Sequence, residues 1–130
     1  MELIKGTILI VDDDKDVLDT AIMFLKQKFK KVSGLEDPER IVNMISTSEF
    51  DVILLDMNFR KGDMEGKEGI YWLKKIREAD QEVTVIMITA YGDIKLAVET
   101  MKEGASDFLL KPWKNEKLYA TILAALELKQ

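Results

Sequence analysis

Four short stretches of this chain end in side chains that could do chemistry together. Thr7-Ile8-Leu9-Ile10-Val11 runs into Asp12, Asp13 and Asp14, and Val52-Ile53-Leu54-Leu55 runs into Asp56. The run from Val83 to Ile88 ends in Thr89, and Ser106 to Leu110 ends in Lys111. Carboxylates gathered in one place repel one another, so either one of them holds a proton or a cation joins them. A ligand set made only of oxygen suits a hard divalent ion, and Mg²⁺ fits one or two carboxylates plus waters. Metal binding alone has no use for a hydroxyl and an ammonium facing that cluster; an arriving anion does. The cation, Thr89 and Lys111 could neutralise the oxygens of a phosphoryl group in transfer while Asp56 attacks it. Taken singly, each residue has an ordinary structural reading: Asp56 a solvated loop aspartate, Asp14 a helix N-cap, Thr89 a cap, Lys111 a surface lysine. Their recurrence at successive run ends is what those readings leave unexplained.

Composition narrows the chemistry further. The chain has no Cys and no His, which removes thiolate nucleophiles, thiolate zinc sites, disulfides and every imidazole-based mechanism. A net charge of −5 gives no electrostatic footprint for nucleic acid. No window reaches the length of a membrane span and the N-terminus lacks a signal-peptide pattern, so the expected location is the cytoplasm, with no membrane partner. The 130 residues, 47% apolar and 33% charged, describe a single domain able to bury about two-thirds of its unfolded surface.

The chemical residues need a scaffold that brings run ends together. Short apolar runs without alternation read as strands buried on both faces, and helical patterns separate them. Val17, Ala21, Phe24 and Leu25 form one apolar helix face, with Phe29 continuing it. Lys31-Val32-Ser33-Gly34 is a short-strand candidate. Asp37-Pro38 opens a helix carrying Ile41, Val42, Met44 and Ile45. Met57 to about Glu68 has no clear period, and a helix then begins near Gly69 with Ile70, Leu73 and Ile76 as its inward stripe. Ile94, Ala97, Val98 and Met101 face inward on a helix over 93–103 that Gly104 terminates. Asn115 can cap a last helix with Leu118, Ile122, Ala125 and Leu126 in the core, leaving Tyr119 and Leu123 outward. Strand and helix alternate five times, which predicts a parallel sheet covered by helices on both faces, with the strand-end groups at one edge.

Ile-Leu-Ile-Val-Asp12-Asp13, Val-Ile-Leu-Leu-Asp56-Met-Asn58, Ile-Thr89-Ala90 and Phe108-Leu-Leu-Lys111-Pro112 occur here in one order. With them the whole chain, residues 1–130, resembles the receiver domain of two-component response regulators. The resemblance implies a flavodoxin-like (βα)5 three-layer sandwich with a five-stranded parallel sheet in the order 2-1-3-4-5, and often a cis bond at Lys111-Pro112. It implies Asp56 as phosphoacceptor, and Mg²⁺ held by Asp13, by Asp12 mainly through water, by Asp56 and by the Asn58 backbone carbonyl. Thr89 and Lys111 would contact the phosphoryl oxygens. Thr89 and Phe108 would form the switch, with Phe108 where many relatives have Tyr. Asn58 and Tyr91 would tune phosphoryl lifetime. The segment after the acceptor is longer than usual in the family.

The same resemblance implies a phosphoacceptor switch, not an enzyme, that takes its phosphoryl group from a sensor histidine kinase. The long loop, Thr89–Asp93 and Lys-Pro-Trp113 are similar to receivers that head σ54-dependent transcription activators. The implied partner is then a fused or separate effector, such as an AAA+ ATPase with a DNA-binding domain, controlled through the face from Asp93 to Leu128. The chain shows neither a phosphate-binding loop nor a recognition helix, so it is expected to be either a stand-alone receiver or an excised domain. Outward apolar residues on the last helix suit a homodimer formed on phosphorylation. Two alternatives share the architecture: a haloacid-dehalogenase-like phosphatase, which wants a carboxylate where Asn58 stands, and a flavin-binding module, which wants a phosphate-cradling loop where Asp12–Asp14 stand.

Overall fold

The computed structural model describes residues 2–57, 68–90 and 94–128. Strands β1 (Ile4–Val11), β2 (Phe29–Leu35), β3 (Val52–Asp56), β4 (Thr84–Ala90) and β5 (Asp107–Lys111) alternate with helices α1 (Lys15–Leu25), α2 (Ile41–Thr47), α3 (Glu68–Ala79), α4 (Ile94–Lys102) and α5 (Asn115–Leu128). All four strand pairings are parallel, in the order β2-β1-β3-β4-β5. The Lys111–Pro112 bond is cis.

The apolar runs behave as doubly buried strands should. Every residue of β3 is buried. Ile53 and Leu55 join the core under α2, α3 and α4, whereas Val52 and Leu54 join the core under α1 and α5. Each such side chain contributes about 1.5–3 kcal/mol on burial, so a central strand without polar interruptions anchors both layers.

Several expectations of detail are corrected. α1 ends at Leu25, and its buried face is Leu18, Ala21 and Leu25, with Val17 and Phe24 only half-buried. Phe29 belongs to β2, because the chain turns through Gln27 and Lys28, whose N–H groups donate to the carbonyls of Phe24 and Leu25. β2 therefore starts earlier than Lys31. Asp37 caps a 3-10 turn over Pro38–Arg40 that leads into α2. Ile70 is half-buried on α3, whose buried face is Glu68, Gly69, Leu73 and Ile76. On α4, Ala97 and Thr100 face inward while Val98 and Met101 are 48% and 40% exposed. Thr100 is tolerated there because its hydroxyl donates to the Ala97 carbonyl at 2.6 Å. Asn115 is the first residue of α5, and the Lys114 carbonyl accepts the first helical bonds, from Lys117 and Leu118. Tyr119 and Leu123 pack against the α1/α5 core, Tyr119 with its ring 5.8 Å from that of Phe29. Asn58, Tyr91 and Asp93 lie outside the described residues, as does most of the segment after Met57, and the side chain of Ile94 with them.

Candidate functional site: a strand-edge carboxylate cluster

Strand register puts the chemical groups at one edge. Val11 is level with Leu55, so Asp12 follows β1 at the height where Asp56 ends β3. Asp56 is level with Ile88, Thr89 with Leu110, and Ala90 with Lys111. A parallel sheet presents all these carboxyl-terminal ends on the same side.

Asp12 is fully buried, Asp56 is 4% exposed, and Asp13 is half-buried. One carboxylate oxygen from each of the three lies within 4.8 Å of the other two, a grouping able to hold a metal ion. Asp12 is fixed by its Oδ1, which accepts the Asp14 N–H at 2.9 Å. Asp14 in turn caps α1, its Oδ1 accepting from the amides of Asp16 and Val17. The last member of the aspartate run therefore has a structural role as the cap of α1.

Lys111 enters the cluster from β5. Its Nζ lies 2.8 Å from Asp12 Oδ2 and 3.5 Å from Asp56 Oδ2. The contact at Asp12 Oδ2 is close but poorly aligned as a hydrogen bond, so it is chiefly ionic and that buried oxygen keeps acceptor capacity. Partial burial works against the ammonium, but the contact with Asp12 and the charges of Asp56 and Asp12 outweigh it and hold the Lys111 pKa above the ordinary lysine value. One ammonium against three carboxylates still leaves an excess of negative charge. That excess and the oxygen-only donors fit a hard divalent cation.

Thr89 is fully buried near the end of β4, on the same face as Val85 and Met87. Phe108 is half-buried against that same core and stands level with Met87, which makes it the diagonal neighbour of Thr89 across the β4–β5 pair. Asp12, Asp13, Asp56 and Lys111 are therefore brought into one cluster, and Thr89 and Phe108 share one face beside it. Asn58 and Tyr91 fall outside the described residues.

Sequence reasoning placed Gly69 at the start of a helix but missed its part in packing that helix against the acceptor strand. The Gly69 N–H donates to the Met57 carbonyl at 3.0 Å, directly beyond Asp56. A Cβ on Gly69 would lie 2.6 Å from Met57 Cα, so only glycine lets the first turn of α3 approach the end of β3 this closely. A glycine at the start of a helical pattern, where propensity disfavours it, was the available signal.

The sequence profile of the response regulator receiver domain matches residues 8–123. The chain belongs to that family. Membership sets aside the phosphatase and flavin-binding alternatives. Among solved structures, this receiver is similar to the N-terminal signal receiver domain of a two-component system response regulator from Bacteroides fragilis. That match has 44% identity and a TM-score of 0.84, covering 96% of this chain and 98% of the other. It is also similar to NtrX from Brucella abortus, with 27% identity and a TM-score of 0.88 over 97% of this chain and 28% of that one. Among curated proteins, it is 31% identical to the transcriptional regulatory protein FixJ of Bradyrhizobium diazoefficiens and 31% identical to the C4-dicarboxylate transport transcriptional regulatory protein DctD of Pseudomonas aeruginosa. Those matches take in 94% and 95% of this chain but only 57% and 26% of the two regulators. No helix among the described residues is long and apolar enough to cross a membrane.

Proposed function

We propose that residues 1–130 form one receiver that switches by phosphorylation of Asp56. A carboxylate oxygen of Asp56 attacks the phosphorus of a phosphohistidine on a sensor histidine kinase. The P–N bond breaks, an acyl phosphate forms, and the imidazole leaves with a proton from solvent. The observation that carries this reading is Lys111, held as a cation against both Asp12 and Asp56 at a buried strand edge. An ammonium kept charged there can follow the phosphoryl oxygens as they arrive, and the Thr89 hydroxyl is the second donor at the same edge. Mg²⁺ would be held by Asp12, Asp13, Asp56 and the Asn58 backbone carbonyl, where it would neutralise the charge of the transferring group. Asn58 and Tyr91 would set how long the acyl phosphate lasts.

The readout runs through Thr89 and Phe108 to the face from Asp93 to Leu128. A phosphoryl group shifts an equilibrium only by contacts that differ between two states. Thr89 turning toward it would vacate space that the diagonal Phe108 ring can enter. Val98 and Met101, the exposed apolar pair on α4, replace Tyr119 and Leu123 as the residues suited to a homodimer or an effector. The transcriptional regulators similar to this chain support an output in transcription, through an AAA+ ATPase of the σ54-dependent kind with its DNA-binding domain. The working compartment is the cytoplasm. Treatment with acetyl phosphate and Mg²⁺, followed by mapping of the alkali-labile adduct, should place it on Asp56. Full labelling of Asp56→Asn would remove the assignment.

A further inference from the structure

The end of the molecule away from the carboxylate cluster carries a second feature. Lys26, Lys28, Lys30 and Lys31 crowd into six residues of a chain whose net charge is −5. Lys26, Lys30 and Lys31 are exposed and line a cleft of about 850 Å³ together with Thr7, Ser33, Met44, Glu49 and Phe50. Phe29 and Val32 also line it, so five consecutive residues of β2 border one cleft. Successive strand side chains point to opposite faces. A cleft bordered by consecutive residues of the strand reaches its edge, and from there it extends to Thr7 of β1 and to Met44 and Phe50.

That edge is open. β2 is the terminal strand of the sheet, paired with β1 alone among the described residues. The Asp12 N–H donates to the Leu35 carbonyl, which fixes Leu35, Ser33 and Lys31 as the residues whose backbone groups turn toward β1. Past the register shift between Ile4 and Thr7, the alternation of a parallel ladder turns the N–H and C=O groups of Val32 and Gly34 outward. An edge of this kind is a template for an added strand.

We propose that the β2 edge docks an extended acidic segment of a partner protein as a sixth strand. The lysines choose the occupant. Pairing with the β2 edge of a second copy would set Lys30 and Lys31 against their own kind, which is how edge lysines suppress self-association. An acidic strand meets Lys26, Lys30 and Lys31 as counter-charges while its backbone satisfies the outward groups of β2. A small anion is the poorer occupant, because Glu49 and the apolar walls of Met44 and Phe50 stand in the same cleft.

The test uses the full chain labelled with ¹⁵N and a capped peptide of alternating Glu and Val, matched to the seven residues of β2. A peptide with Lys for Glu, a Glu/Val peptide of block order and inorganic phosphate serve as the other arms. Saturable binding of the alternating acidic peptide is expected. With nine-tenths of the sites filled, hydrogen exchange at the Val32 and Gly34 amides should slow about tenfold. Lys30→Glu/Lys31→Glu, both at exposed positions, should weaken binding at least about tenfold, and raised salt should weaken binding to the wild type. Several results would overturn the proposal: no binding at about 1 mM peptide, binding without protection of those amides, equal binding of the lysine or block peptide, phosphate matching the peptide, or a dimer formed through β2 without any peptide.

Discussion

Gly69→Ala is the sharpest test of how the fold holds the acceptor. The added methyl would sit 2.6 Å from Met57 Cα and 3.1 Å from the Met57 carbonyl oxygen, against about 3.4 Å for ordinary contact. The first turn of α3 and the end of β3 must then separate by about 0.8 Å. Neither side yields freely. Met57 is fully buried, and its N–H donates to the Ile88 carbonyl at 2.9 Å, so moving it strains the β3–β4 junction. Overpacking of this sort costs about 1–3 kcal/mol, and with backbone as the obstacle the upper end applies. Alanine's better helix propensity and smaller unfolded-state entropy return up to about 1 kcal/mol. A net loss of about 2 kcal/mol lowers the melting temperature of a chain this size by roughly 7 °C.

The displaced end of β3 carries Asp56, so the acceptor should move by a fraction of an ångström. Misplacement by about 1 Å costs a reaction roughly a hundredfold, so labelling by acetyl phosphate should slow by about tenfold or more. Gly6→Ala is the control. Its new methyl meets only the Leu126 side-chain tip, at 3.1 and 3.3 Å, and that tip can rotate away. Thermal melts and timed phosphorylation of both variants decide the matter. A Gly69→Ala protein that melts and reacts as the wild type does, or a Gly6→Ala protein equally impaired, would refute the reasoning.

Lys111→Met leaves Asp12 and Asp56 buried without their cation, so the metal-free protein should lose about 3–5 kcal/mol in urea unfolding, and an unchanged midpoint would contradict the site. Because the folded pKa of Lys111 is raised, its stabilisation is fully present below the unfolded lysine value and is lost as pH climbs through the higher folded one; the wild-type midpoint should fall in that alkaline window and the variant's fall should be smaller. Asp13→Asn removes one repelling charge and should raise metal-free stability by about 1 kcal/mol while weakening Mg²⁺ binding followed by Trp72 or Trp113 fluorescence. Arg77→Met removes the guanidinium that donates to the Gly104 carbonyl at 2.7 and 3.1 Å and to the Val83 carbonyl at 2.6 Å. It should cost about 2–3 kcal/mol and speed hydrogen exchange around the α4–β5 turn.

What the sequence made legible tracks how many faces an element buries. β1, β3 and β4 are covered on both sides and announce themselves as unbroken apolar runs, whereas β2 is an edge strand whose exposed lysines hide it. Helix faces were less legible, because periodicity counts apolar residues without knowing what they meet. Val98 and Met101 keep the right spacing for a core stripe on α4 yet face outward, since Thr100 supplies its own hydrogen-bond partner and takes the inward position. Tyr119 fails in the opposite sense: it has a surface residue's spacing, but Phe29 arrives from β2 to cover it.

The site was legible for a different reason, which is topological. Strand-end positions converge in any parallel sheet, so reading the runs was enough to gather Asp12, Asp56, Thr89 and Lys111 at one edge. Convergence does not by itself make contact. β5 is separated from β1 by β3 and β4, and neighbouring strands lie roughly 5 Å apart. Reaching Asp12 from β5 takes a long unbranched side chain with its charge at the tip, and the half-buried stem of Lys111 lying along the sheet edge supplies it. A shorter polar residue at position 111 would leave the carboxylates to repel one another. The planar fork of an arginine would pair with one carboxylate in fixed geometry, where a lysine's rotating point charge can pass from Asp12 to an arriving phosphoryl oxygen. The choice of lysine therefore follows from the strand order, which the resemblance to receiver domains implied and which the alternating pattern alone leaves open.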